Sequence, residues 1–181
     1  MSEPFKFSTM SEKFLQEFVS DIINHIDENT NKLKTCLDEL AEQDVWRRPN
    51  KHSNSVGNLL LHLAGNIRQW IISSLGNAED GRERDKEFAA DGGYSKSELA
   101  VKLFSTIEEA KIIIQHISSE EIFKKRSVQG HFYSGVSIII HVTEHYSYHT
   151  GQIIFWTKLL RDKDLGFYAS VDLNLKNEAQ Q

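Results

Sequence analysis

The sequence predicts an all-α protein, a four-helix bundle that forms a single domain over residues 1–181. Apolar residues recur at spacings of three and four through four long segments, which is the period of an amphipathic helix. Pro4 and Pro49 are the only prolines, so no proline interrupts a helix after Pro49. No repeat, low-complexity tract or linker divides the chain, and four such helices bury their apolar faces most simply against one another.

The first two helices are predicted in the first half of the chain. Helix one runs from about Ser11 to Leu40, where the apolar positions follow the helical period. A polar loop follows and ends at Ser53-Asn54, residue types that cap helix N-termini well. Helix two runs from about Ser55 to Leu75 and ends at Gly76-Asn77, which is typical of a helix C-terminus.

The third helix follows a long charged loop, Gly76 to Tyr94, in which we expect no more than one short helical turn. Ser95-Lys96-Ser97-Glu98 matches a capping box, in which the serine and glutamate side chains satisfy each other's backbone N–H groups. The helical period then continues through Ile117.

The fourth helix is predicted from about Gly135 to Leu160, with Ser134 as its cap, after a loop from Ser118 to Tyr133. The tail from Asp162 onward shows no clear pattern. Its last residues are expected to be disordered.

Composition excludes several functional classes. Lys and Arg total 21 against 26 Asp and Glu, so the net charge of −5 argues against a dedicated nucleic-acid surface. A single cysteine, Cys36, excludes an intrachain disulfide and is expected to be a small packed hydrophobe. The N-terminal residues carry charges and no apolar segment, and no apolar run could span a bilayer. We therefore expect a cytoplasmic protein without membrane contact.

Three of the eight histidines recur every four residues on the fourth helix: His141, His145 and His149. Neighbours at this spacing stack one turn apart, and such a pair can grip one cation at about 2.0–2.1 Å. A helical wheel surrounds His145 with bulky side chains, which predicts that it faces the bundle interior. These neighbours are Ile138, Val142, His149, Gln152, Trp156 and Leu160. The alternative is that each histidine simply bonds to a neighbouring polar group.

His62 on the second helix offers a third ligand. It lies at the centre of a polar stripe that also contains Ser55, Asn58, Asn66, Gln69 and Ser73. Such a stripe is typical of a site wall and equally of a solvent face. If His62 meets His145 and His149, the result is a three-histidine metal site with an open fourth position, as in catalytic centres.

A rival motif overlaps these residues. His141-Val142-Thr143-Glu144-His145 matches the H-x-x-E-H pattern of inverzincin proteases, with Glu144 as the base. Those enzymes need an acidic third ligand well downstream, where little chain remains here. Glu144 also lies about 100° from His145 around the helix, which disfavours this interpretation.

Two segments resemble the DinB-like superfamily of bacterial four-helix metalloproteins, which includes DinB and YfiT. They are SNSVGNLLLHLAGNIRQW at 53–70 and HVTEHYSYHTGQIIFWTKLL at 141–160. The most specific part is His145-x-x-x-His149-Thr150-Gly151-Gln152. The run Arg82-x-Arg84-Asp85-x-Glu87-Phe88 resembles one uncharacterised branch.

The resemblance implies a metal site made of His62, His145 and His149, holding nickel or zinc, in a protein that forms homodimers. It also implies an enzyme, either a thiol transferase of the bacillithiol or mycothiol type or a metal-dependent hydrolase. A non-catalytic stress-response or binding protein stabilised by metal is the alternative. A third possibility is a helical interaction module whose histidines bind no ligand.

Four loop arginines remain open to two interpretations. They are Arg47, Arg48, Arg82 and Arg84. They are either solvated loop charges or cations at the mouth of the site that hold the carboxylates of an anionic thiol. His52 and His131 lie in loops near helix starts, whereas His25 and His116 are expected to be ordinary surface residues.

Overall fold

Four long helices form the body of the protein, which confirms the predicted all-α fold class. The computed structural model describes the backbone of residues 5–177 and the side chains of residues 11–177. The helices are α1 (Phe5–Glu39), α2 (Val56–Ile67), α3 (Arg84–Ala89), α4 (Lys96–Gln115), α5 (Ser119–Phe123) and α6 (Gly135–Arg161). A 3-10 turn spans Glu42–Asp44, and a π-helical segment, Arg68–Ser73, extends α2. Within the described residues, no helix is long and apolar enough to cross a membrane.

Serine side chains cap three of these helix N-termini, and two of them, Ser95 and Ser134, are the predicted caps. The third cap is Ser55 rather than the predicted Ser53-Asn54. The Ser55 hydroxyl accepts a hydrogen bond from the backbone N–H of Asn58 at the start of α2. Ser95 and Glu98 form the predicted capping box of α4. Ser134 accepts from the N–H of Ser137 and so begins α6. These side chains satisfy backbone donors that have no partner inside the helix.

The core lies between the four long helices, where α1 packs chiefly on α6 and α2 on α4. Leu33, Leu63 and Leu103 are fully buried there, and Cys36 is buried beside them. Burial raises the pKa of the Cys36 thiol, so the side chain behaves as a packed apolar group.

The prediction of a structureless loop from Ser118 to Tyr133 is wrong. The segment contains α5 and a β-hairpin of strands β1 (Lys125–Val128) and β2 (His131–Ser134). Gln129 and Gly130 both have positive φ, 48° and 79°, as a tight two-residue hairpin turn requires. The four-residue strands are too short to show a clear alternating pattern in the sequence.

The remaining boundaries differ from the predicted ones by a few residues, as helix ends commonly do. Helix α1 begins at Phe5 rather than Ser11, and α4 ends at Gln115 rather than Ile117. After α6, Phe167 packs against the core, and the Tyr168 hydroxyl lies 3.0 Å from Lys32 Nζ. The disorder predicted for the last residues falls on 178–181, outside the described residues.

Candidate metal centre

Three histidine rings from α2 and α6 converge on one point. His62 Nε2 lies 3.0 Å from His145 Nε2, and His149 Nε2 lies 3.2 Å from the same atom. One ring nitrogen of each residue lies within 4.8 Å of the other two. The structure therefore brings together the three residues singled out in the sequence. Their arrangement can hold a metal ion, and binding itself stays a prediction.

The polar stripe on α2 is an inner wall rather than a solvent face. Ser55, Asn58 and Asn66 are buried, with at most 2% of each exposed. The Asn58 amide donates to the backbone carbonyls of Glu87 and Ala90, at 2.9 and 2.7 Å. These hydrogen bonds tether α3 to α2 and place the Glu87 side chain beside His62.

Glu87 orients the His62 ring. Its Oε2 lies 3.0 Å from His62 Nδ1, and both side chains are buried. Arg82 donates to both oxygens of the same carboxylate, at 2.8 and 2.9 Å. Burial alone would raise the pKa of Glu87, but the hydrogen bonds from Arg82 and His62 outweigh it and lower that pKa. Glu87 is thus an ionised acceptor.

The proton on His62 follows from these contacts. An ionised Glu87 can only accept, so His62 Nδ1 carries a proton and donates it to Glu87, although Arg82 Nη2 also lies 3.1 Å from Nδ1. The neutral ring then carries no proton on Nε2, and the lone pair of Nε2 faces His145. A carboxylate behind a histidine is the usual outer support of a metal-ligating imidazole.

Gln152 performs the same task for His149. Its Oε1 lies 2.7 Å from His149 Nδ1, one turn further along α6. The Nδ1–H donates to this amide oxygen, which leaves Nε2 of the neutral ring without a proton. Burial lowers the pKa of His149, so the neutral ring is favoured. Two of the three converging nitrogens therefore present lone pairs.

His145 lies between the other two histidines and cannot donate a hydrogen bond to Nε2 of both, because its own Nε2 carries at most one proton. Its Nδ1 is buried and has no hydrogen-bond partner among the described residues. Burial first, and then the neighbouring His149 and His62, lower the pKa of His145 to about 3. A neutral His145 carries one ring proton, so at least one of its two Nε2 contacts joins two lone pairs. A divalent cation between the three nitrogens removes this conflict, and imidazole nitrogens suit nickel or zinc. The residues therefore fit the metal.

His141 is not a member of the cluster. Its ring stacks on Trp70, with centroids 3.9 Å apart, and lies 5.6 Å from the His145 ring. Within the described residues, the metal-capable group joins His145 to His149 and His62, contrary to the protease motif. Glu144, the base of that motif, is exposed on α6.

The loop arginines differ from one another. The interpretation of Arg82 as a solvated charge is wrong, because 4% of its side chain is exposed and it pairs with Glu87. Arg48 donates to backbone carbonyls, including that of Phe88 in α3 at 3.2 Å. The exposed Arg84 guanidinium lies 4.7 Å from the Phe88 ring centroid, and that ring lies 4.6 Å from His62.

Sequence reasoning missed the roles of Glu87 and Gln152. Glu87 stands in the segment that resembles one branch of the superfamily, and Gln152 falls near His145 on the helical wheel. Gly65 was also missed, although glycine inside a helix is unfavourable and so signals a packing need. A side chain at Gly65 would overlap the Glu87 carboxylate.

Comparison with known proteins identifies a family and a fold. Residues 13–171 match the family described as Protein of unknown function (DUF1572). A search of curated proteins finds no significant match. The chain resembles the crystal structure of a DinB-like protein, YjoA, from Bacillus subtilis, with a TM-score of 0.63 and 15% identity over 82% of this chain and 97% of that one.

A second crystal structure shows the same fold. It is a DinB-like protein from Bacillus cereus ATCC 10987, with a TM-score of 0.61 and 15% identity over 77% of this chain and 90% of that one. At this identity the likeness extends to the fold alone. It confirms the predicted resemblance to DinB-like proteins.

Proposed function

The chain belongs to the DUF1572 family, and from its fold and histidine cluster we propose that it is a metal-dependent enzyme that transfers a low-molecular-weight thiol. The observation that carries the proposal is the convergence of three Nε2 atoms. In two of the three rings, the other nitrogen, Nδ1, is held by a hydrogen bond to Glu87 or Gln152. His62, His145 and His149 would bind the metal, with nickel or zinc as the ion. A metal bound by three protein ligands keeps an open position, at which it would lower the pKa of a bound thiol.

Thiol transfer suits the cluster because a thiol bound at the metal would release its proton to water, after which the reaction needs no further proton acceptor. The sulfur forms a bond to an electrophilic carbon, and the bond from that carbon to its leaving group breaks with its electron pair. Glu87, the carboxylate that contacts the cluster, already accepts hydrogen bonds from Arg82 and His62. It is therefore not free to act as a base toward water.

Arg84 supplies the second support for a thiol that carries carboxylates. Its guanidinium stacks on Phe88, which in turn contacts the His62 ring. An exposed arginine at this place can bind the carboxylate of an incoming thiol. Arg82 cannot do so, because Glu87 occupies both of its donor directions toward the cluster.

Hydrolysis is the second candidate, favoured by His141. Its ring lies next to that of His145 without joining the cluster, so it is placed to accept a proton from water. In a hydrolase, His141→Gln would abolish turnover of esters or amides. The same substitution would leave thiol transfer largely unchanged.

Metal content tests the site. Untagged protein supplemented with nickel or zinc and then dialysed should retain about one ion per chain, as a three-histidine site predicts. His145→Ala should lose the ion, whereas His25→Ala, which changes an exposed histidine on α1, should keep it. Wild-type protein that retains neither metal would overturn the proposal.

A thiol-consumption assay tests the reaction. Metal-loaded protein should conjugate bacillithiol or a similar thiol to an electrophile faster than His145→Ala does. Metal binding without any turnover would instead support the metal-stabilised, non-catalytic alternative. The homodimer implied by the family resemblance stays a prediction, for which the oligomeric state in solution is the measurement.

A further inference from the structure

A cleft of about 640 Å³ lies beside the histidine cluster. Its walls are the loop that precedes α2, the first turns of α2, and the outer face of α6. Its volume is in the range of small-molecule sites, which is about 300–1,000 Å³.

The cleft and the cluster share side chains. Gln152 lines the cleft and also accepts the hydrogen bond from His149 Nδ1. Tyr148 lines it as well, and its ring contacts that of His149, with centroids 5.0 Å apart. Leu59, on the opposite wall, precedes His62 by three residues on α2. A molecule in the cleft therefore lies against two side chains that contact His149, on the Nδ1 side of that ring.

The lining carries no formal charge. Of the described residues that line the cleft, none is Asp, Glu, Lys or Arg, and its one titratable ring is that of His52, which carries no charge when neutral. The contrast within the molecule is sharp, because a neighbouring cleft of about 540 Å³ on the far side of Glu87 is lined by eight charged residues, among them Arg68, Asp80 and Lys102. A carboxylate or phosphate entering the uncharged cleft would lose water without gaining a counter-charge.

Aromatic and aliphatic side chains form most of the wall that α6 contributes. Tyr148, Phe155 and Leu159 follow one another along α6 and are 64%, 69% and 62% exposed. Trp156 lies next to them on the inner side. Flat apolar groups bind well against such walls, because contact removes apolar surface of both partners from water.

We propose that this cleft binds the electrophile of the thiol transfer, and that the electrophile is a small uncharged molecule with a flat apolar body. The identity of the substrate rests on the proposed function, whereas the charge and shape preference of the cleft does not. The concave form and its position against His149 favour a small molecule over a second copy of the chain.

Two ligands of the same shape and different charge test the preference. Naphthalene-2-carboxamide and naphthalene-2-carboxylate share one ring system, and only the second is an anion at neutral pH. We measure both by ligand-observed NMR titration on metal-loaded protein and on protein treated with a chelator. The chelator removes the metal, so the carboxylate cannot bind by coordinating to it. Circular dichroism verifies that the chelated protein is folded.

The amide should bind to both forms of the protein. In the chelated protein, the carboxylate should bind at least about tenfold more weakly than the amide does, which corresponds to about 1.4 kcal/mol. Phe155→Ser should weaken amide binding several-fold. Phe14→Ser is the matched control, because Phe14 is 67% exposed on α1 and does not line the cleft.

Equal affinity for both ligands in the chelated protein, or equal loss in the two serine variants, would overturn the proposal. A third result would also overturn it: wild-type protein that is a dimer and does not bind the amide, with Phe155→Ser converting the dimer to a monomer. The face would then be an interface between copies of the chain. Failure of the proposed function shows separately, as absence of bound metal in wild-type protein that still binds the amide.

Discussion

The Glu87 carboxylate lies 3.0 Å from His62 Nδ1 while it accepts two hydrogen bonds from Arg82. This arrangement fixes the ring of His62 from behind. It also connects the histidine cluster to α3, which the Asn58 hydrogen bonds hold against α2.

Replacing Glu87 should weaken metal binding. Glu87→Gln removes the ionised acceptor of the His62 Nδ1–H, and loss of such a partner typically lowers metal affinity by about 10–100-fold. Competition with a zinc-binding dye measures the change. The control is Glu83→Gln, since Glu83 pairs with Lys86 on the surface. Equal affinities in the two variants would show that Glu87 does not support the metal.

Gln152 should respond to the chemistry of its replacement. Gln152→Leu removes the acceptor of the His149 Nδ1–H, so metal affinity should fall by about tenfold. Gln152→Glu keeps an acceptor and makes it ionised, so affinity should be retained or rise. The same dye competition measures both variants. The assigned role of Gln152 fails if leucine and glutamate behave alike.

Metal should stabilise the bundle, because the proposed ion joins α2 to α6. At a free metal concentration of about 100 times Kd, the stabilisation is about 2.7 kcal/mol, or roughly 5–10 °C in Tm for a chain of this size. Thermal unfolding with zinc and with a chelator should show this difference in wild type. It should vanish in His145→Ala, and a chelator effect of equal size in that variant would place the metal elsewhere.

A second buried pair, Thr30 and Tyr146, should matter for stability. Thr30 Oγ1 donates to the Ile26 carbonyl at 2.7 Å, so the Tyr146 hydroxyl donates to Thr30 at 2.9 Å. Thr30→Val leaves the Tyr146 hydroxyl buried without a partner, which costs about 1–3 kcal/mol. Tyr146→Phe should cost less, because it removes the buried donor altogether.

Urea unfolding measures both changes. Thr35→Val is the control, because Thr35 is partly exposed on α1 and makes the same kind of hydrogen bond to the Asn31 carbonyl. A loss of stability in Thr35→Val as large as that in Thr30→Val would contradict the assigned hydrogen bond.

Helical periodicity predicts the bundle well because each long helix buries one face. The same periodicity places His145 and His149 on the inner face of α6 and His62 at the centre of the polar stripe on α2, and the family resemblance selects the same three residues. Helical periodicity cannot decide whether the polar stripe on α2 faces water or protein. A helical wheel gives the direction of each side chain around the helix but does not show what lies in that direction. The Asn58 hydrogen bonds to α3 supply that answer.

Segments without a long period were predicted less well. Arg82 and Glu87 pair across a loop and the start of a six-residue helix, where no repeat relates one residue to the other. The hairpin failed for a similar reason, because Gln129-Gly130 joins strands of four residues each.

Gly65 gives the candidate centre a signature that can be sought among related sequences. Since any side chain there would overlap the Glu87 carboxylate, the two positions are not free to change independently. Gly65→Ala should favour helix formation by roughly 1 kcal/mol and yet displace Glu87 from His62. Among homologues, we expect glycine and glutamate at these positions to be inherited together or replaced together. Their joint occurrence would mark the chains that keep this support for His62.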